Sequence, residues 1–103
     1  PMYTPIREQD EIPPYTQATL DLYTEMLADT KRMIAGIKAD TDPDPDVVRF
    51  PEPIKFFDGT PEEHTLEYIV LADEDKDDFL VHWGKVEADQ QAFVTFLTDR
   101  LAG

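Results

Sequence analysis

Cysteine is absent from this 103-residue chain. Without thiols the chain cannot form a disulfide, a thiolate zinc site or a cysteine nucleophile, so redox chemistry at sulfur is excluded. Glycine is also scarce. The four glycines are scattered along the chain, so they build no glycine-rich phosphate-binding loop. We therefore expect no nucleotide chemistry.

Histidine is nearly as rare, since His64 and His82 are the only imidazoles. Catalysis by histidine usually needs the imidazole beside a nucleophile or carboxylate that a third group holds in place. In the predicted hairpin the two histidines lie at different heights and on different surfaces, so a shared metal ion would need another strand register. The sequence therefore predicts no catalytic residue, no metal site and no cofactor.

Basic side chains are few, with 9 lysines and arginines against 23 acidic residues and a formal net charge of −14. Such a charge repels nucleic-acid phosphates and anionic lipids, so direct binding to nucleic acid or membrane is not expected. No apolar run approaches the roughly 20 residues that a membrane span needs, and residues 1–7 lack the layout of a signal peptide. We expect a cytoplasmic location.

The domain organisation follows from proline and apolar content. Hydrophobic residues make up 41% of the chain, which is enough for one modest core. Residues 1–15 contain Pro1, Pro5, Pro13 and Pro14 and are predicted to form an extended N-terminal arm. Residues 16–103 are predicted to form a single α+β domain.

The first regular element is a predicted amphipathic helix that begins after an N-cap at Thr16 and ends near Ala39. Its apolar or neutral stripe has residues spaced three and four apart, Leu20, Tyr23, Leu27, Thr30, Ile34 and Ile37, and is widened by Leu22, Met26 and Met33. The opposite face carries Asp21, Glu25 and Asp29 at successive four-residue steps. These three carboxylates form the first candidate binding surface.

Aspartate alternates with other residues from Asp40 to Asp46, which resembles the opening of a calcium-binding loop. The match ends there, because counting from Asp40 the sixth position is Pro45 and the twelfth is Pro51, where such a loop has glycine and glutamate. Pro43 and Pro45 also prevent the helix from continuing and favour extended backbone at the preceding aspartates. We predict a solvated acidic loop with adventitious cation binding at most.

Three strands are predicted after this loop. Val48, Phe50, Ile54 and Phe56 alternate with period two, and the prolines between them place this strand at a sheet edge. Residues 60–63 resemble a capping box that makes a short helical turn. Residues 66–72 and 79–86, rich in β-branched and aromatic side chains, are predicted to pair as a hairpin.

The register of that hairpin follows if it is symmetric. Tyr68 then faces Trp83 and Ile69 faces His82, and an acidic tip joins the two strands. A final helix is predicted from about Glu87. The order is α-β-β-β-α, with a three-stranded antiparallel sheet and two helices packed on one face.

The excess of acid has three interpretations. It improves solubility or adapts the protein to a salty cytoplasm; it faces a basic, nucleic-acid-binding partner, as in an inhibitor or immunity-type protein; or the chain is an assembly subunit, for example of a phage particle. A homo-oligomer would form through the edge strand. All three involve binding rather than turnover, and the basic protein partner is our leading hypothesis.

The partner-binding surface is expected where fixed acid is densest, on the helix stripe and the hairpin tip. The candidate residues are Asp21, Glu25, Asp29, Asp73, Glu74, Asp75, Asp77 and Asp78. Tyr15, Tyr23 and Trp83 are candidate anchors if they are exposed, and of these Trp83 is expected in the core. The remaining alternative is a small enzyme that uses the amine of Pro1 or a histidine.

Overall fold

The computed structural model describes residues 12–56 and 64–103. Its elements run in the order α1 (Gln17–Lys38), β1 (Val47–Phe56), β2 (His64–Val70) and α2 (Lys76–Ala102). The predicted α+β class is confirmed, with two helices and an antiparallel sheet of two strands. The predicted turn at residues 60–63 and most of the arm at residues 1–15 lie outside the described residues.

Helix α1 begins and ends where the sequence predicts. The Thr16 side chain accepts a hydrogen bond from the Thr19 N–H at 3.2 Å, which satisfies a helix N–H that has no partner within the helix. Ala39 is the C-cap, and its N–H donates to the Ala35 carbonyl. The predicted stripe turns inward, with Met26, Leu27, Met33 and Ile37 buried and Thr30 buried among them.

Strands β1 and β2 pair in an antiparallel register that two prolines interrupt. Val48 lies opposite Ile69 and Arg49 opposite Tyr68, whereas farther along Ile54 lies opposite Leu66. The irregularity falls at residues 50–53, because Pro51 and Pro53 have no N–H to donate to a ladder. Val48 and Phe50 are nevertheless buried, as the period-two pattern predicts.

The prediction of a third strand is wrong, and so is the predicted hairpin. Residues 79–86 belong to α2, which begins at Lys76 rather than near Glu87, and neither Tyr68 nor Ile69 pairs with this segment. Its buried residues are Phe79, Trp83, Val86, Gln90 and Leu97. That spacing of three and four matches a helix, and the period continues past residue 86, so it outweighs the local preference of aromatic and β-branched residues for strands.

The core lies between the two helices and one face of the sheet. Met33 and Ile37 from α1 meet Val48 and Phe50 from β1, and Phe79, Trp83 and Val86 of α2 complete the cluster. The helices run antiparallel, because Tyr23 contacts Phe93 with ring centroids 4.7 Å apart while Lys76 reaches the loop after α1. No helix in the described part of the chain is long and apolar enough to cross a membrane.

Gly36 and Gly84 provide a matched test of this packing. A Cβ at Gly36 would lie 2.7 Å from a ring carbon of the buried Phe50, whereas nothing lies within 4 Å of a Cβ at Gly84. We expect Gly84→Ala to raise the free energy of unfolding by about 0.5–1 kcal/mol through helix propensity. Gly36→Ala should lower it by about 1–3 kcal/mol through overpacking. Urea denaturation measures both, and equal effects would contradict the close contact between α1 and β1.

Gln90 interrupts the apolar stripe of α2. Its side-chain oxygen is buried and has no hydrogen-bond partner among the residues that the structure describes, which costs stability. We expect Gln90→Met, which keeps the volume and removes the polar amide, to raise the free energy of unfolding by about 1 kcal/mol. Gln91→Met, at the exposed neighbouring position, is the control and should change stability by less than about 0.5 kcal/mol. A loss of stability in the Gln90 variant alone would show that the amide is needed.

Candidate functional site

The amino end of α2 concentrates acidic side chains. Asp75 is the N-cap, and its carboxylate accepts a hydrogen bond from the Asp78 N–H at 2.8 Å. Asp77 and Asp78 lie in the first helical turn, where the helix dipole favours negative charge. The residues predicted as a hairpin tip are therefore the start of a helix, and Asp73, Glu74, Asp75, Asp77 and Asp78 are all exposed there.

The loop between α1 and β1 holds its aspartates in a ladder of turns. Asp40, Asp42 and Asp44 each accept a hydrogen bond from the backbone N–H two residues later, at 2.9 to 3.0 Å. Aspartate forms such turns readily, and two of the three precede a proline, which also favours extended backbone. The alternation that resembles a calcium loop thus has a structural role in this chain.

Two basic side chains of the chain itself, Lys76 and Arg49, pair with aspartates in the first part of this loop. Lys76 forms an ion pair with the Asp40 carboxylate and donates to the Asp42 carbonyl at 3.0 Å. Arg49 reaches the Asp42 carboxylate at 3.3 Å. The side chains of Asp40 and Asp42 are only 6% and 17% exposed. The expectation of a wholly solvated loop is therefore wrong for these two residues.

The ionisation of Asp40 reflects this environment. Desolvation by burial alone would raise its pKa, but hydrogen bonds from the Lys76 ammonium and from the N–H groups of Asp42 and Arg49 favour the charged form. These bonds and the charge of Lys76 outweigh the burial, so the pKa of Asp40 lies below its ordinary value. Asp40 is thus a structural carboxylate.

The contacts of Lys76 bring the two acidic segments to one end of the molecule. A third link is the hydrogen bond from the Leu71 N–H to the Asp46 carbonyl at 2.8 Å. We name residues 40–46 and 73–78 together the acidic end. Its carboxylates are Asp40, Asp42, Asp44, Asp46, Asp73, Glu74, Asp75, Asp77 and Asp78. Among the described residues, only two of these carboxylates form an ion pair: Asp40 with Lys76 and Asp42 with Arg49.

The stripe predicted on α1 is not part of this end. Asp21 lies 17 residues before Lys38, or about 25 Å along the helix axis, so the two predicted surfaces are separate. Asp29 is buried and pairs with Arg32, which also donates to the Lys55 carbonyl at 2.8 Å. Glu25 and Asp29 line an open cleft of about 630 Å³ between α1 and β1. Of the stripe, only Asp21 and Glu25 are exposed.

The remaining candidate residues have ordinary structural surroundings. His64 lies on β2 with its ring 5.4 Å from that of Phe56, and His82 lies on α2 beside Trp83. Within residues 12–56 and 64–103, no group of histidine and acidic side chains is arranged to hold a metal ion. Pro1 lies outside the described residues, so the hypothesis of an N-terminal catalytic amine stays untested.

The predicted anchors divide between core and surface. Trp83 is 2% exposed, which confirms its predicted place in the core. Tyr15 is exposed and packs edge-on against Phe96 at 5.1 Å, with the Arg100 guanidinium over its ring. This aromatic contact lies at the carboxyl end of α2, far from the acidic end.

The comparisons with known proteins leave geometry as the only guide to function. No protein-family model, no curated protein and no solved structure matches this chain. Sequence reasoning missed Lys76 and Arg49 as partners of the aspartate loop, although the Asp-Pro alternation was a usable sign of turn structure.

The Asp40 site gives a prediction in pH. Asp40→Asn should lower the free energy of unfolding by about 1–3 kcal/mol at neutral pH, because the Lys76 ammonium loses its carboxylate partner. A depressed folded-state pKa adds stability above the unfolded pKa of about 3.9, and that stability is lost as pH falls through the folded pKa. The difference between wild type and variant should therefore be constant above about pH 5 and shrink below about pH 4.

Asp44→Asn is the matched control, because Asp44 is exposed and asparagine can keep its turn. Urea denaturation across pH should show a change below about 0.5 kcal/mol for this control. A difference for Asp40→Asn that is small and independent of pH would contradict the structural role of the ion pair.

Proposed function

We propose that this chain is a non-enzymatic, acidic protein-binding module whose acidic end engages a basic, nucleic-acid-binding partner, in the manner of an inhibitor or immunity-type protein. The observation that carries the proposal is the clustering of nine carboxylates at one end of the molecule, of which Asp40 and Asp42 pair with Lys76 and Arg49. Complementary charge steers association and contributes to specificity.

The location of the charge favours a partner over general solubility. Carboxylates that act only through solvation have no reason to cluster, because repulsion between neighbours costs stability. Charges within about 8 Å are poorly screened at physiological ionic strength, so the exposed acids of one end act together on an approaching cation. Salt adaptation alone leaves this clustering without a reason.

The acids proposed to contact the partner are the exposed ones that pair with no cation among the described residues. Asp44 and Asp46 are exposed in the loop, and the five acids of residues 73–78 are exposed around the start of α2. Asp40 and Asp42 are paired internally, and Asp29 is buried with Arg32. We therefore assign the binding surface to the five predicted acids within residues 73–78 and give Asp21 and Glu25 no more than a secondary part.

An assembly subunit is the second candidate. Exposed apolar side chains on the sheet and on α2 support it, since Tyr68, Val70 and Val81 are each more than half exposed. On the sequence evidence given above, we place either activity in the cytoplasm.

The test compares two variants with the same net charge. The first neutralises the acidic end: Asp73→Asn, Glu74→Gln, Asp77→Asn and Asp78→Asn. The control neutralises four exposed acids elsewhere: Asp21→Asn, Glu25→Gln, Asp89→Asn and Asp99→Asn. With a poly-L-lysine probe, the first variant should associate about tenfold more slowly than wild type, with a weaker salt dependence, because steering is lost. The control should retain most of the wild-type rate.

Stopped-flow association at several salt concentrations measures these rates. Thermal unfolding accompanies it, because the first variant also loses first-turn carboxylates worth about 0.3–1 kcal/mol each. Equal losses in the two variants would show that only total charge matters, and the proposed interface would be wrong.

A further inference from the structure

The two outer edges of the sheet differ in how they are covered. At the edge of β1, the Arg49 N–H donates to the Asp40 carboxylate at 2.6 Å, and the Arg49 carbonyl accepts from the Thr41 N–H at 3.3 Å. The aspartate loop therefore occupies the backbone groups that a further strand would need at this point. Covering an edge in this way prevents unwanted pairing.

At the opposite edge, no hydrogen bond from a described residue covers the outward backbone groups of β2. The bond from the Leu71 N–H to the Asp46 carbonyl makes these two positions a hydrogen-bonded pair. Because such pairs alternate along antiparallel strands, the N–H and C=O of Ile69 also point toward β1. Tyr68 and Val70 then direct their N–H and C=O groups away from β1. Within the described residues neither makes a hydrogen bond beyond the sheet. Their side chains are 51% and 64% exposed.

A groove lies along this open edge and continues to the acidic end. Its volume is about 340 Å³, and its lining is residues 69–74 with Phe79. Ile69, Leu71 and Phe79 give it an apolar floor, while Asp73 and Glu74 lie at its rim. Apolar floor, acidic rim and unpaired backbone groups thus lie side by side.

We propose that the outer edge of β2 is a strand-addition site for an extended basic segment of the partner. Main-chain hydrogen bonds to Tyr68 and Val70 hold the segment, and alternate side chains divide between the groove and the rim. An apolar side chain enters the groove against Leu71 and Phe79, and lysine or arginine meets Asp73 and Glu74. The inference rests on the proposed function and adds the form of the partner.

Charge decides between this occupant and a second copy of the chain. A second copy brings its own net charge of −14, which opposes its approach to the same acidic rim. A segment with lysine or arginine at alternate positions matches the rim without such repulsion. The apolar groove also distinguishes this segment from a purely cationic tail, which has no side chain to place there.

The test uses the full chain and three labelled peptides. The parent alternates leucine with lysine, and two derivatives carry N-methyl groups on all leucines or on all lysines. In an extended peptide, alternate N–H groups point to opposite edges. One derivative should therefore bind about tenfold more weakly and the other like the parent, which free charge alone cannot produce. Fluorescence anisotropy measures the affinities.

Two lysine variants locate the site. Val70→Lys puts a like charge at the open edge and should weaken the parent peptide about tenfold. Val81→Lys makes the same change at an equally exposed position on α2, where Val81 is 58% exposed, and should leave the affinity unchanged. Equal affinities for these two variants would overturn the site.

The remaining outcomes separate this inference from the proposed function. Parent-like binding of both methylated peptides would overturn strand addition, while poly-L-lysine binding at the acidic end would still support a basic partner. Failure of both the alternating peptide and poly-L-lysine to bind would overturn both proposals. Equal binding of a leucine–glutamate peptide would overturn the charge-directed partner. A dimer that Val70→Lys dissociates would assign the edge to a second copy and overturn the basic segment.

Discussion

The ion pair between Lys76 and Asp40 joins the first residue of α2 to the loop that follows α1. Through this contact the helices are held antiparallel at one end, and the aspartate loop lies where it covers the edge of β1. The same contact places residues 40–46 beside residues 73–78. Repulsion among these acids opposes the arrangement, and the partly buried Lys76 ammonium with its two oxygen partners offsets part of it. Lys76 thus helps to hold the two acidic segments together.

Carboxylates at this end perform two kinds of work. Asp40, Asp42 and Asp44 complete backbone turns, and Asp75 caps α2, so these four stabilise the chain whether or not a partner exists. The other five carboxylates accept no such bond from the described residues and remain exposed: Asp46, Asp73, Glu74, Asp77 and Asp78. These five are the acids whose charge the fold itself does not explain. The first group explains why aspartate, with its short side chain, is preferred there to glutamate.

Local sequence rules predicted the parts of the fold that local physics controls. The cap at Thr16, the stripe of α1 and the alternation of Val48 and Phe50 all follow from spacing. The start of α2 did not, because Phe79, Val81 and Trp83 favour a strand when considered alone. The spacing of three and four that continues beyond residue 86 indicates a helix, and burial against α1 and the sheet, contacts distant in sequence, stabilises it. The same holds for the candidate site, where acid density was predictable but the partnership of Lys76 with Asp40 was not.

The antiparallel helices also decide which end of the molecule lies opposite the acidic end. Tyr15 lies against Phe96 and Arg100, so the start of α1 and Gly103 lie together at the end of the molecule opposite the acidic end. A 27-residue helix separates these ends by about 40 Å. Immobilisation through a tag after Gly103 would therefore leave the opposite pole facing bulk solvent. A sensor surface prepared in this way would display every molecule in the same orientation.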